Sequence, residues 1–131
     1  MGHKSHAERF WGRWKDDMGL YEHTRLALET AENDDEKEAL WRMLEEQLPQ
    51  MTPAQQDDVL CAVADYEIDV PEHFQECVTD LLASEHWGAA SAATCCLLSC
   101  GPSGMLRVMC ALKNNELPHR AAVQGILSLH V

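Results

Sequence analysis

The sequence predicts an all-α protein of about eight short helices, roughly 10–16 residues each, packed as antiparallel pairs. Three observations carry that reading. Apolar residues recur at helical spacing along nearly the whole chain, no segment shows the strict alternation of a strand, and stop and start residues fall between the apolar stripes. At 131 residues and 14.7 kDa the chain suits one domain, 1–131, with residues 1–4 read as a flexible tail. Hydrophobic residues at 46% and charged residues at 24% fit a globular core.

The elements follow in order. Ala7, Phe10, Trp11 and Trp14 form the first stripe, with Ser5 and Glu8 as a capping box. Leu20, Thr24, Ala27, Leu28 and Ala31 form the second. Asn33 with Glu36 starts a third, carrying Leu40, Trp41, Met43, Leu44 and Leu48, and Pro49 stops it. Thr52-Pro53-Ala54-Gln55 is the clearest start: Thr52 caps, Pro53 suits the first helical position and Gln55 reaches back. Its helix carries Val59, Leu60, Ala62 and Val63. Tyr66 to Val70 reads as a connector, and Pro71 opens a helix bearing Phe74, Cys77, Val78, Leu81 and Leu82. Ser84 caps the next, which runs through Trp87 to Cys100 and ends at Gly101-Pro102, glycine just past the helix and proline beyond. Ser103 starts a helix with Met105, Val108, Met109 and Leu112, closed by Asn114-Asn115. Leu117 or Pro118 starts the last, with Ala121, Ala122, Leu127 and Val131. The expected core includes Trp41, Leu44, Val59, Phe74, Val78, Leu81, Leu97 and Met109. Trp11, Trp14, Trp41 and Trp87 read as mostly core, with room for one exposed anchor.

A weak internal period appears at an offset of 32, where Ala89-Ala90 falls on Ala121-Ala122 and Leu97 on Leu129. With Gly101-Pro102, Leu112 and His119-Arg120, these residues make the stretch 81–131 resemble the short HEAT-like helical repeats. Arg120 matches an Arg common in those repeats, whereas Gly88 stands at that place in the earlier copy. The resemblance implies a solenoid used for protein contacts, without chemistry of its own. The residues themselves allow either that solenoid or an irregular helical bundle.

Charge is the most informative feature. The chain holds 22 acids and 10 Lys+Arg, for a net charge of −12. Residues 1–50 carry −5, residues 51–100 carry −9 with no base at all, and residues 101–131 carry +2. No Lys or Arg lies between Arg42 and Arg107, while eleven acids do. Such a balance argues against a nucleic-acid binder or an anionic-membrane module. It favours a basic protein partner, drawn by electrostatic steering. The expected partner site is Asp57, Asp58, Asp65, Tyr66, Glu67, Asp69 and Glu72, around one connector and the helix ends that it joins.

Chemistry is harder to find. Gly101-Pro102-Ser103-Gly104 lacks the Lys and preceding strand of a phosphate loop, and no G-x-S-x-G elbow occurs. The seven histidines are scattered, with none at H-x-x-x-H spacing. His86 and Cys95 are nine residues apart, which places them on opposite sides of one helix. The six cysteines, Cys61, Cys77, Cys95, Cys96, Cys100 and Cys110, form no C-x-x-C pair and sit in apolar segments. They read as reduced thiols, at least four of them buried. The expectation is therefore a non-enzymatic, cytoplasmic module with no catalytic or metal-binding residues and no cofactor. No apolar run is long enough for a bilayer span, and the charged N-terminus does not read as a secretory signal. Its concrete form is an immunity or inhibitor protein whose carboxylates replace phosphates in a basic groove. Two alternatives remain: a secretion-type chaperone or adaptor holding an apolar client segment, and a thiol- or metal-responsive protein using Cys95, Cys96 and Cys100.

Overall fold

The computed structural model describes residues 19–66 and 69–130. These residues form seven α-helices and no strand: α1 Leu20–Thr30, α2 Asp34–Gln47, α3 Pro53–Tyr66, α4 Glu72–Asp80, α5 Trp87–Ser99, α6 Pro102–Asn114 and α7 Arg120–Ser128. They correspond to the second to eighth expected helices. The first expected helix, with Trp11 and Trp14, and the 1–4 tail lie outside the described residues.

Local chemistry sets the helix ends. Asn33 Oδ1 accepts the Glu36 N–H at 2.9 Å, and Glu36 Oε2 accepts the Glu32 N–H at 2.8 Å. The Thr52–Gln55 box closes in both directions, at 3.2 and 2.9 Å. Gly101 has φ 83°, a left-handed turn that glycine takes without a Cβ penalty, and Pro102 opens α6 immediately after it. Two short 3₁₀ turns, Leu48–Gln50 and Leu81–Ala83, extend α2 and α4. Ser84 acts one turn before α5, its Oγ accepting the His86 N–H at 3.1 Å.

The helices alternate between two rows. α1 packs on α3, α3 on α5 and α5 on α7; in the other row, α2 packs on α4 and α4 on α6. Contact between every second helix is how helical repeats build a continuous core. α5 lies at its centre, touching α3, α4, α6 and α7. Its sequence explains that position: Ala89, Ala90, Ala92, Ala93, Cys96 and Leu97 are buried, and small residues on several faces let neighbours approach. Buried Thr94 satisfies its hydroxyl on the Ala90 carbonyl at 2.8 Å. At the α5–α6 seam, a Cβ on Gly104 would overlap the Leu97 carbonyl.

Of the expected core, Trp41, Leu44, Val59, Phe74, Val78 and Leu97 are buried, and Trp41 stacks at a tilt on Phe74 with ring centroids 4.8 Å apart. Leu81 is half-buried. Met109 is a correction: it is 49% exposed, because α6 turns Gly104, Val108, Ala111 and Leu112 inward instead. Trp87 is also outside the core, at 65% exposure. The two halves of the internal period differ in environment. Ala89, Ala90 and Leu97 are buried, whereas Ala121 and Leu129 are exposed and Ala122 is half-buried. α7 ends its row, and Val123 is its one fully buried side chain.

Candidate functional site

The acidic residues divide into three groups with different surroundings. The first lies at the end of α3. Asp65 Oδ2 accepts the Tyr21 hydroxyl at 2.6 Å. Tyr66, 44% exposed, meets Tyr21 edge-on at 5.9 Å, and the Arg25 guanidinium lies 5.5 Å from its ring centroid. Arg25 also bonds Glu22 at 2.6 Å and Glu29 at 3.1 Å. Asp65 and Tyr66 thus belong to the last turn of α3 and contact α1, so the expected connector is corrected at these two positions. The Asp65 carboxylate, through its bond to the hydroxyl, and the adjacent Tyr66 raise the Tyr21 pKa. Glu67 lies outside the described residues.

The second group, Asp57 and Asp58, lies within the first half of α3, about 10–12 Å of helix rise from Asp65. Those two therefore belong to a different part of the helix from the connector. Asp57 Oδ1 accepts the Cys61 thiol at 3.3 Å. Burial, and then the neighbouring Asp57 charge, raise the Asp58 carboxyl above its ordinary value.

The third group begins with Glu72 and continues along α4 through Glu76 and Asp80. Spacing of i, i+4, i+8 sets these three carboxylates on one side, opposite buried Phe74 and Val78. All three are exposed, and no Lys, Arg or His nitrogen approaches any of them within 4.0 Å among the described residues. Glu76 and Asp80 were absent from the expected site, although their four-residue spacing was visible in the sequence. Asp69 is exposed in the connector that precedes this ridge.

One histidine stands among acids. His73 on α4 bonds Glu45 of α2 through Nδ1, and its Nε2 lies 2.9 Å from Glu38 Oε1. Arg42 bridges the same carboxylates, at 3.0 Å to Glu38 and 3.7 Å to Glu45. Burial alone would lower the His73 pKa, but Glu45 and Glu38 outweigh it and the net shift is upward. This cluster joins α2 to α4 within one row and fixes the helix that carries the acidic ridge.

The thiols do not form the expected buried set. All six are free, but Cys96 alone is fully buried; Cys61, Cys77 and Cys100 are half-buried, and Cys95 and Cys110 are exposed. The small core positions that cysteine was expected to fill are taken mainly by alanines of α5. Burial and Asp57 push Cys61 up to about 12, and burial with Glu45 and Asp80 pushes Cys77 up to about 11. Burial, then Asp57, raises Cys95. Contact with Cys100 and then burial raise Cys96, while the same contact lowers Cys100. Reactive thiols sit in electropositive surroundings, whereas Cys61, Cys77 and Cys95 lie near carboxylates. No group of three or more His, Cys, Asp or Glu with metal-binding geometry occurs among the described residues. No helix among them is long and apolar enough to cross a membrane.

No family model matches the chain, and no curated protein or solved structure matches it either.

Proposed function

We propose that this chain is a non-enzymatic, acidic protein-binding module that engages a basic protein partner, in the manner of an immunity or inhibitor protein. The observation that carries the reading is the carboxylate ridge Glu72–Glu76–Asp80, unpaired among the described residues and inside a 64-residue interval without Lys or Arg. Like charges left without counter-charges oppose compaction, so their concentration on one surface calls for a reason beyond folding. A basic partner supplies it. Its cations meet carboxylates already fixed on a rigid helix, and the negative field speeds their encounter.

The connector extends this surface through Asp69 and Glu72, and Tyr66 adds an aromatic face. Arg25 over Tyr66, with Asp65, Glu22 and Glu29 nearby, is an intramolecular example of how such a surface receives a guanidinium. The inhibitory step is occlusion: carboxylates occupy the groove in which the partner holds phosphates. The test is a pull-down from the native host at low and at high salt. A basic protein retained only at low salt is the expected result. Retention indifferent to salt, or of acidic proteins alone, contradicts the reading.

A further inference from the structure

Among the described residues, no element covers the outer face of α6. Leu106 is 62% exposed and Met109 49%, and Cys110 and Lys113 are exposed beside them. Positions 106, 109, 110 and 113 form one stripe at i, i+3, i+4 and i+7, on the side away from buried Val108 and Leu112. Against the stripe lies an open cleft of about 330 Å³, lined by Thr79, Leu106, Arg107, Cys110 and Asn115 among others. Arg107 and Lys113 have no carboxylate within 4.0 Å among the described residues, although the chain holds more than twice as many acids as bases. Apolar surface, a cleft and two unpaired cations therefore coincide on one helix.

We propose that this face docks an amphipathic helix of another protein, one that carries acidic side chains beside its apolar anchors. Leu106, Met109 and the cleft take the anchors, in the helix-in-groove mode. Arg107 forks onto a carboxylate, and Lys113, six residues further on, meets a second. The same two cations disfavour a basic segment, so this surface selects the opposite charge class from the α4 ridge. A second copy of this chain is the poorer occupant. Its α4 ridge matches Arg107 and Lys113 in charge but presents no large exposed apolar side chain for the cleft.

The test selects random 12-residue peptides, displayed on phage, against the full chain at low salt. Binders are then measured on Leu106→Asp, Met109→Asp and Arg107→Glu variants and on a Glu72→Lys, Glu76→Lys variant. Folding of each is checked by circular dichroism and urea midpoint. Enriched peptides should interleave Asp or Glu with Leu, Phe or Met at three- and four-residue spacing. Their affinity should fall about tenfold or more on each α6 variant and stay unchanged on the α4 variant. No enrichment, enrichment of basic peptides, or equal binding to the α6 variants would overturn the proposal. So would sedimentation showing a dimer that Leu106→Asp makes monomeric, which would place a second copy on this face. If Leu106→Asp fails to fold, Leu106→Ala and Arg107→Glu carry the same decision.

Discussion

The α4 side and the α6 side of the molecule are built alike and dressed oppositely. Both helices belong to the same row and pack on each other, and both turn a narrow apolar stripe inward. Outward, α4 shows Glu72, Glu76 and Asp80 with no large exposed apolar side chain, whereas α6 shows Leu106, Met109 and two bases. Packing needs only the inner stripes, so it does not dictate this contrast. Core and surface are separable on such short helices, and the outward chemistry is free to follow a partner.

One of the two largest expected effects lies at the seam that holds α6 in place. Gly104→Ala puts a methyl into the Leu97 carbonyl and should cost about 3 kcal/mol, from overpacking against backbone that has little room to move. Urea denaturation measures it; a near-neutral result would mean that α6 sits further from α5. On the α4 side, Phe74→Ala should cost about 3–5 kcal/mol, since the ring is fully buried against Trp41.

A smaller effect separates α4 by its dependence on pH. The His73 pKa is raised in the fold, so its contribution is fully present below the unfolded value, near 6.5, and is lost as pH rises through the folded value. His73→Gln should therefore destabilise the protein more at pH 5.5 than at pH 8.5, as read from urea midpoints. An equal loss at both would assign His73 a purely packing role. The smallest effects belong to the outward residues. Trp87→Ala and Leu106→Ala should each change stability by less than about 0.5 kcal/mol, because both side chains are mostly in water.

What the sequence made legible was local. The Thr52–Gln55 and Asn33–Glu36 caps and the Gly101-Pro102 turn involve residues a few positions apart, and their chemistry is complete within that span. Trp41 and Phe74 were readable because each sits mid-stripe. Met109 was not: it stands at helical spacing from Met105 and Leu112, as Ala111 does from Val108, and which flank turns inward depends on where α5 and α4 lie. The cysteines failed for the same reason, since an apolar segment does not say which side of it is covered. Tyr21 meets Asp65 across 44 positions and His73 meets Glu45 across 28, so neither tie has a local signature. The ridge on α4 did have one, in its four-residue spacing, but the connector carried the denser run of acids and drew the site toward Asp65 and Tyr66.

The most direct test of the central claim is the association rate of the basic partner at low ionic strength, measured by stopped flow on the native chain and on a Glu72→Lys, Glu76→Lys, Asp80→Lys variant. These side chains are exposed and meet no cation among the described residues, so the fold should persist. The account predicts association slowed by about tenfold or more in the variant, with the difference shrinking as salt is added. Equal rates for the two proteins at low salt would contradict it and leave the acidic ridge as solvated surface.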